Sequence, residues 1–123
     1  MNGFKLVQHK VVASSFIENR EKEKRKDIEI SVEGGILVPK DLQKTKHLAV
    51  QLKLILGNPD ERIYLKLETL STFEVEKDDV REEETRSNCL PVALCELRKT
   101  VKKVTEAYGI PVIDLPPFED EVD

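Results

Sequence analysis

Two cysteines, two histidines and a surplus of carboxylates are the side chains here with chemistry to offer, and their spacing brings none of them together. Cys89 and Cys95 stand six residues apart in a stretch with helical periodicity. At about 100° per residue, six steps turn them away from a shared face, which disfavours both a disulfide and a metal pair. No histidine lies near either thiol to act as a base. His9 and His47 are isolated, without the spacing of metal ligands, and read as structural or surface residues. The carboxylates fall on alternating strand positions or in runs of mixed charge, the pattern of a solvated face. Gly34-Gly35 stands alone inside a strand pattern, so it is not a phosphate loop. No serine sits in a nucleophile elbow. The residues therefore predict no catalytic site, no metal and no cofactor, and the chain reads as a binding protein and not an enzyme.

The elements that carry these residues follow from the periodicity. Phe4 to Ile17 is rich in β-branched residues, with apolar side chains of both parities. That suits a strand covered on both sides, or one whose parity switches at a bulge. The mixed-charge run Glu18–Asp27 reads as a solvated hairpin connection. Ile28, Ile30, Val32, Ile36 and Val38 alternate with polar residues, broken at Gly34-Gly35. Leu48, Val50, Leu52, Leu54 and Leu56 alternate strictly up to the turn Gly57-Asn58-Pro59-Asp60, and Ile63, Leu65, Leu67, Phe73 and Val75 continue beyond it. Four consecutive strands predict an antiparallel meander with one buried face.

The period then changes. Leu90, Leu94, Leu97, Val101, Val104 and Tyr108 recur at steps of four and three, one face of a helix. Asn88 is the expected N-cap, Pro91 falls in the first turn, and Gly109 closes the helix with Pro111 beyond it. An earlier short helix near Asp78–Arg86 has almost no apolar face. The expectation is one α+β domain over 1–123, a four-stranded antiparallel sheet followed by a long amphipathic helix. The acidic tail 119–123 is expected to fray.

Composition sets outer limits. With 39% hydrophobic residues, no Trp, four Phe and two Tyr, the core must be aliphatic. A net charge of −4 lacks the basic face that non-specific nucleic-acid binding needs. No run is apolar enough to insert in a membrane and no cleavable signal follows Met1, so a cytoplasmic location is expected.

The helix and its exit carry a resemblance. Asn88, Leu97-Arg98, Gly109-Ile110-Pro111 and Leu115-Pro116 match, without a gap, the pattern of the SecB-like export chaperones, and Phe73 resembles the aromatic that ends their fourth strand. Departures are Cys95 and Glu96, where the family carries Pro and an aromatic, and Pro117-Phe118 in place of an Asn-Phe pair. The resemblance implies a homotetramer, a dimer of dimers with long helices between subunits. It also implies ATP-independent binding of unfolded polypeptides in apolar grooves, for export or for an antitoxin client. The alternative is an interaction or assembly module of the same fold. For the groove, the resemblance nominates Val11, Phe16, Ile28, Ile30, Leu97 and Val101, all of which could equally be core. Leu94, Val101 and Val104 are nominated for subunit contacts. Docking to the SecA motor implies an acidic residue in the fourth strand; Lys66 occupies that position and Glu68 is the nearest acid.

Overall fold

The strict alternation in the middle of the chain produces its two central strands. The computed structural model describes residues 3–22, 28–40, 42–76, 80–110 and 112–118. In order they form β1 (Phe4–Glu18), β2 (Ile30–Leu37), a single helical turn α1 (Leu42–Thr45), β3 (His47–Gly57), β4 (Ile63–Val75) and the long helix α2 (Glu82–Ala107). Every even residue of β3 from Leu48 to Leu56 and every odd residue of β4 from Leu65 to Val75 is buried. These two rows meet in register, Leu48 opposite Phe73 through to Leu56 opposite Leu65. Full burial of each such side chain is worth about 1.5–3 kcal/mol, so this double row is the main stabilising feature.

The β3–β4 turn depends on one glycine. Gly57 has φ of +73°, and a Cβ there would lie 2.0 Å from the Ile63 carbonyl oxygen. Only glycine fits. Asn58 then holds the loop, its Oδ1 accepting from the Asp60 amide (2.8 Å) and its Nδ2 donating to Glu61 Oε1 (2.9 Å).

The strand order is β1-β4-β3-β2, all neighbours antiparallel. This differs from the expected meander. β1 and β2 occupy opposite edges, so the charged run after β1 is no hairpin but a crossing from one edge to the other, the long return of a Greek key. Residues 23–27 of that run lie outside the described residues, as does the acidic tail 119–123. In β1 the register shifts twice, between Leu6 and Gln8 and between Val11 and Ala13. These bulges explain the mixed parity: each moves the inward positions by one, which puts Leu6, His9, Val11 and Phe16 on one face.

Helix α2 begins earlier than its local signals indicate. Arg81 occupies the N-cap position without a side-chain cap, and Glu82, Glu83 and Glu84 form the first turn, where the helix dipole favours them. Asn88 is inside the helix, donating from Nδ2 back to the Glu84 carbonyl (2.7 Å). Pro91 is buried in the third turn. An interior proline costs about 3 kcal/mol. Burial of Thr85 and Cys89, two turns and one turn ahead of Ala93, offsets it, because the turns before the proline also pack on the core. The C-terminus follows expectation: Gly109, at φ +76°, donates to the Glu106 carbonyl and Ile110 to that of Thr105, a Schellman closure.

Candidate functional site

The helix lies across the sheet face that carries the buried rows, and its two ends meet that face differently. Toward β1 it is fastened by specific contacts. His9 sits in β1 between Ser71 Oγ (2.8 Å from Nδ1) and Thr100 Oγ1 (2.9 Å from Nε2). The Thr100 hydroxyl proton is donated to the Glu96 carbonyl (2.7 Å). Thr100 must therefore accept from Nε2–H, and neutral Nδ1 accepts the Ser71 hydroxyl. Burial lowers the imidazole pKa; Glu96 raises it and Lys103 lowers it further, by smaller amounts. Two turns further along the helix, Phe16 stacks on Tyr108 with centroids 5.0 Å apart, and Ser14 Oγ and Tyr108 Oη lie 2.6 Å apart. The exit segment returns along the helix, pinned where the Ile113 amide donates to Thr105 Oγ1 (3.1 Å) and where Lys102 meets Asp114 (3.8 Å).

Toward β2 the helix stands clear of the sheet and leaves a cavity of about 770 Å³. Val32, Gly34, Gly35, Ile36 and Val38 form one wall, and Leu52 contributes from β3. Val80, Thr85, Leu90, Leu94 and Phe118 form the other, with Glu82 and Arg86 at the rim. The lining is mainly aliphatic, the size is that of a ligand or peptide site, and the two rim charges cancel. Among the described residues no group of His, Cys, Asp or Glu could hold a metal. Cys89 is fully buried, with its thiol pKa pushed up to about 12 by burial. A thiol in that state is not a nucleophile at neutral pH.

The residues nominated from sequence are dispersed by this geometry. Ile30 is on β2, 46% exposed and in line with the groove wall, and Ile28 is partly buried just before it. Val11 (43% exposed) and Phe16 are on β1, at the far edge of the sheet. Leu97 and Val101 are 0% exposed and belong to the core of the chain. They cannot line an open groove, and Val101 cannot reach a second subunit from there. Leu94 is buried but touches the cavity, and Val104 is half-buried against the core. Glu68 is on the opposite face of the sheet, in register with Lys53 on β3 and Ala13 on β1, and Lys66 beside it holds its ammonium 5.2 Å from the Tyr64 ring centre. None of the residues lining the cavity was nominated for the groove from sequence, Gly34, Leu52, Val80, Leu90 and Phe118 among them. The Gly-Gly break was the available signal, since glycine in a strand marks close approach or missing bulk.

With sheet order, helix and groove in view, comparison with solved structures decides the fold. The Mycobacterium tuberculosis SecB-like chaperone Rv1957, solved in complex with a ChAD peptide from the Rv1956 HigA1 antitoxin, superposes with a TM-score of 0.69. Identity is 16%, over 94% of this chain and 88% of that one. This chain has the SecB-like fold. A protein of unknown function from Streptococcus agalactiae matches more loosely, at 15% identity and a TM-score of 0.43 over 92% of this chain and 96% of that one. No family model and no curated protein matches the sequence. Within the described residues, no helix of this chain is long and apolar enough to cross a membrane.

Proposed function

We propose that the chain is an ATP-independent holdase that binds unfolded or non-native polypeptide in the groove between β2 and α2. The observation that carries this is the mainly aliphatic groove of about 770 Å³ in a fold shared with a chaperone that was solved holding a peptide. Apolar burial is non-directional, at roughly 25 cal/mol per Å², so such a groove retains many sequences without reading one. Cancelling charges at the rim leave a neutral client unopposed.

The client is an antitoxin segment or an export precursor. For export, Glu68 is the candidate contact for the SecA motor, on the face that the helix leaves free. Assembly is proposed as a homotetramer, a dimer of dimers. Exposed Val7, Val12 and Ile17 on β1 are the apolar surface that a second copy would cover. The proposed location is the cytoplasm.

Aggregation of thermally denatured citrate synthase, followed by light scattering without nucleotide, tests the reading. Suppression at a stoichiometric ratio is expected. Unchanged aggregation would remove the holdase function and leave an interaction module of the same fold. Multi-angle light scattering checks assembly: four times the mass of one chain is expected, and a monomer would exclude the tetramer.

A further inference from the structure

The segment 112–118 that leaves α2 is fixed at one end and only lightly seated at the other. Its root is held by the Ile113 amide on Thr105, by the Lys102–Asp114 pair, and by Leu115, which is 7% exposed and part of the core. Its far end, Phe118, is part-buried and stands in the wall of the cavity with Leu90 and Leu94. From Ile113 to Phe118 an extended chain reaches about 16 Å. The helix covers ~16 Å from Thr105 back to Leu94. The segment therefore arrives at the groove drawn out along α2.

Pro116 and Pro117 join the root to the ring, and both are exposed. Neither has an N–H, so this stretch cannot be tied down by main-chain donation. Each fixes its own φ, which keeps the stretch extended and stiff. Such a joint swings as an arm and does not coil. The ring at its tip rests on the groove through apolar contact, which is non-directional, so another apolar side chain can take its place. Lifting the ring leaves Leu115 and the seat of the helix untouched.

We propose that Phe118 is an internal competitor: an aromatic side chain on a proline arm that covers part of the apolar cavity in the free protein and is displaced when a bound polypeptide inserts its own apolar side chains. This rests on the polypeptide-binding reading above and adds its regulation. While the ring is down, the groove shows less apolar surface to water, and contiguous apolar surface is what drives unwanted association. While it is up, the cavity is larger. A client binds only the molecules whose ring is up, so the observed affinity is lowered in proportion to their fraction. A polypeptide with several apolar side chains overcomes that threshold, whereas one with a single such side chain merely exchanges one contact for another. The arm thus favours extended unfolded segments over isolated apolar groups.

Fluorescence of the full chain tests this, because the sequence contains no tryptophan. Phe118→Trp places a single indole at the tip of the arm. The probe is reduced, carboxymethylated ribonuclease A, which stays unfolded and also lacks tryptophan. In the free variant the emission should be blue-shifted from that of the same chain in urea. Saturation with the probe should move it back toward the urea value. Emission that is already at the urea value before the probe is added, or that stays blue or shifts further to the blue once the probe is bound, overturns the proposal. The affinity of the labelled probe for Phe118→Ala, read by anisotropy, gives an independent check. Binding should be about tenfold tighter than to the parent, the scale of one apolar contact that no longer has to be displaced. Equal or weaker binding would make Phe118 a fixed part of the wall; the arm would then be wrong and groove binding would stand. If neither the parent nor the alanine variant binds the probe, the polypeptide-binding reading falls and the proposal falls with it.

Discussion

The two ends of the helix face the same sheet across very different gaps. Toward β1, a histidine bridge, a stacked aromatic pair and a returning segment close the space. Toward β2, aliphatic side chains of helix and strand approach without meeting. An open groove therefore does not require a loosely held helix. Polar and aromatic contacts at one end fix its position, and the apolar surfaces at the other end can stay apart. Without the clasp, the helix would be free to settle onto β2 and fill the cavity.

The largest effect should come from the core that both ends share. Leu97 is wholly buried under the middle of α2. Leu97→Ala should cost about 2–5 kcal/mol in urea unfolding. It should also weaken polypeptide binding, because the helix loses its seat on the sheet.

A smaller effect separates the two ends. His9→Ala strips the clasp of its bridge and should cost about 1–3 kcal/mol, since Ser71 and Thr100 lose a common partner. Burial lowers the pKa of folded His9 below the unfolded value near 6.5. The folded state then binds fewer protons, so this contribution to stability is present above about pH 6.5 and is lost as pH falls toward the folded value. Urea titrations at pH 7 and pH 5 should show that loss in the parent, and a shallower pH dependence in His9→Ala. An identical pH dependence in both would mean that His9 plays no part in it.

The smallest expected change sharpens the role of that bridge. Thr69 and Ser71 are adjacent inward-facing polar residues of β4, both fully buried. Ser71 is satisfied by His9, whereas the Thr69 hydroxyl has no partner. Thr69→Val should therefore stabilise the fold by about 1 kcal/mol, read as a higher urea midpoint with unchanged slope.

How far the sequence discloses this arrangement depends on how local each signal is. β3 and β4 are legible because one face is apolar and the other polar along their whole length. β1 is ambiguous because two bulges shift its parity, and no local signal distinguishes a bulge from burial on both faces. The start of α2 misleads for a different reason. Asn88 and Pro91 are strong local start signals, but the buried helix residue ahead of them is Thr85, too small and too polar to register as an apolar face. Strand order is invisible to periodicity, since alternation says which face is buried and nothing about which neighbour pairs. The groove is hidden for the same reason. It arises where edge strand β2 and the first half of α2 come near each other, and Leu97 and Val101 fall away from it because the helix turns them straight into the sheet.

The bulges in β1 bear on behaviour at high concentration. A fifteen-residue edge with exposed valines is a template on which identical molecules can stack. Two shifts of register divide that edge into short stretches, none of which offers a long straight partner for indiscriminate growth. β2 has no such interruption. One border of the sheet is thus guarded against endless polymerisation, while the other keeps an uninterrupted register with β3.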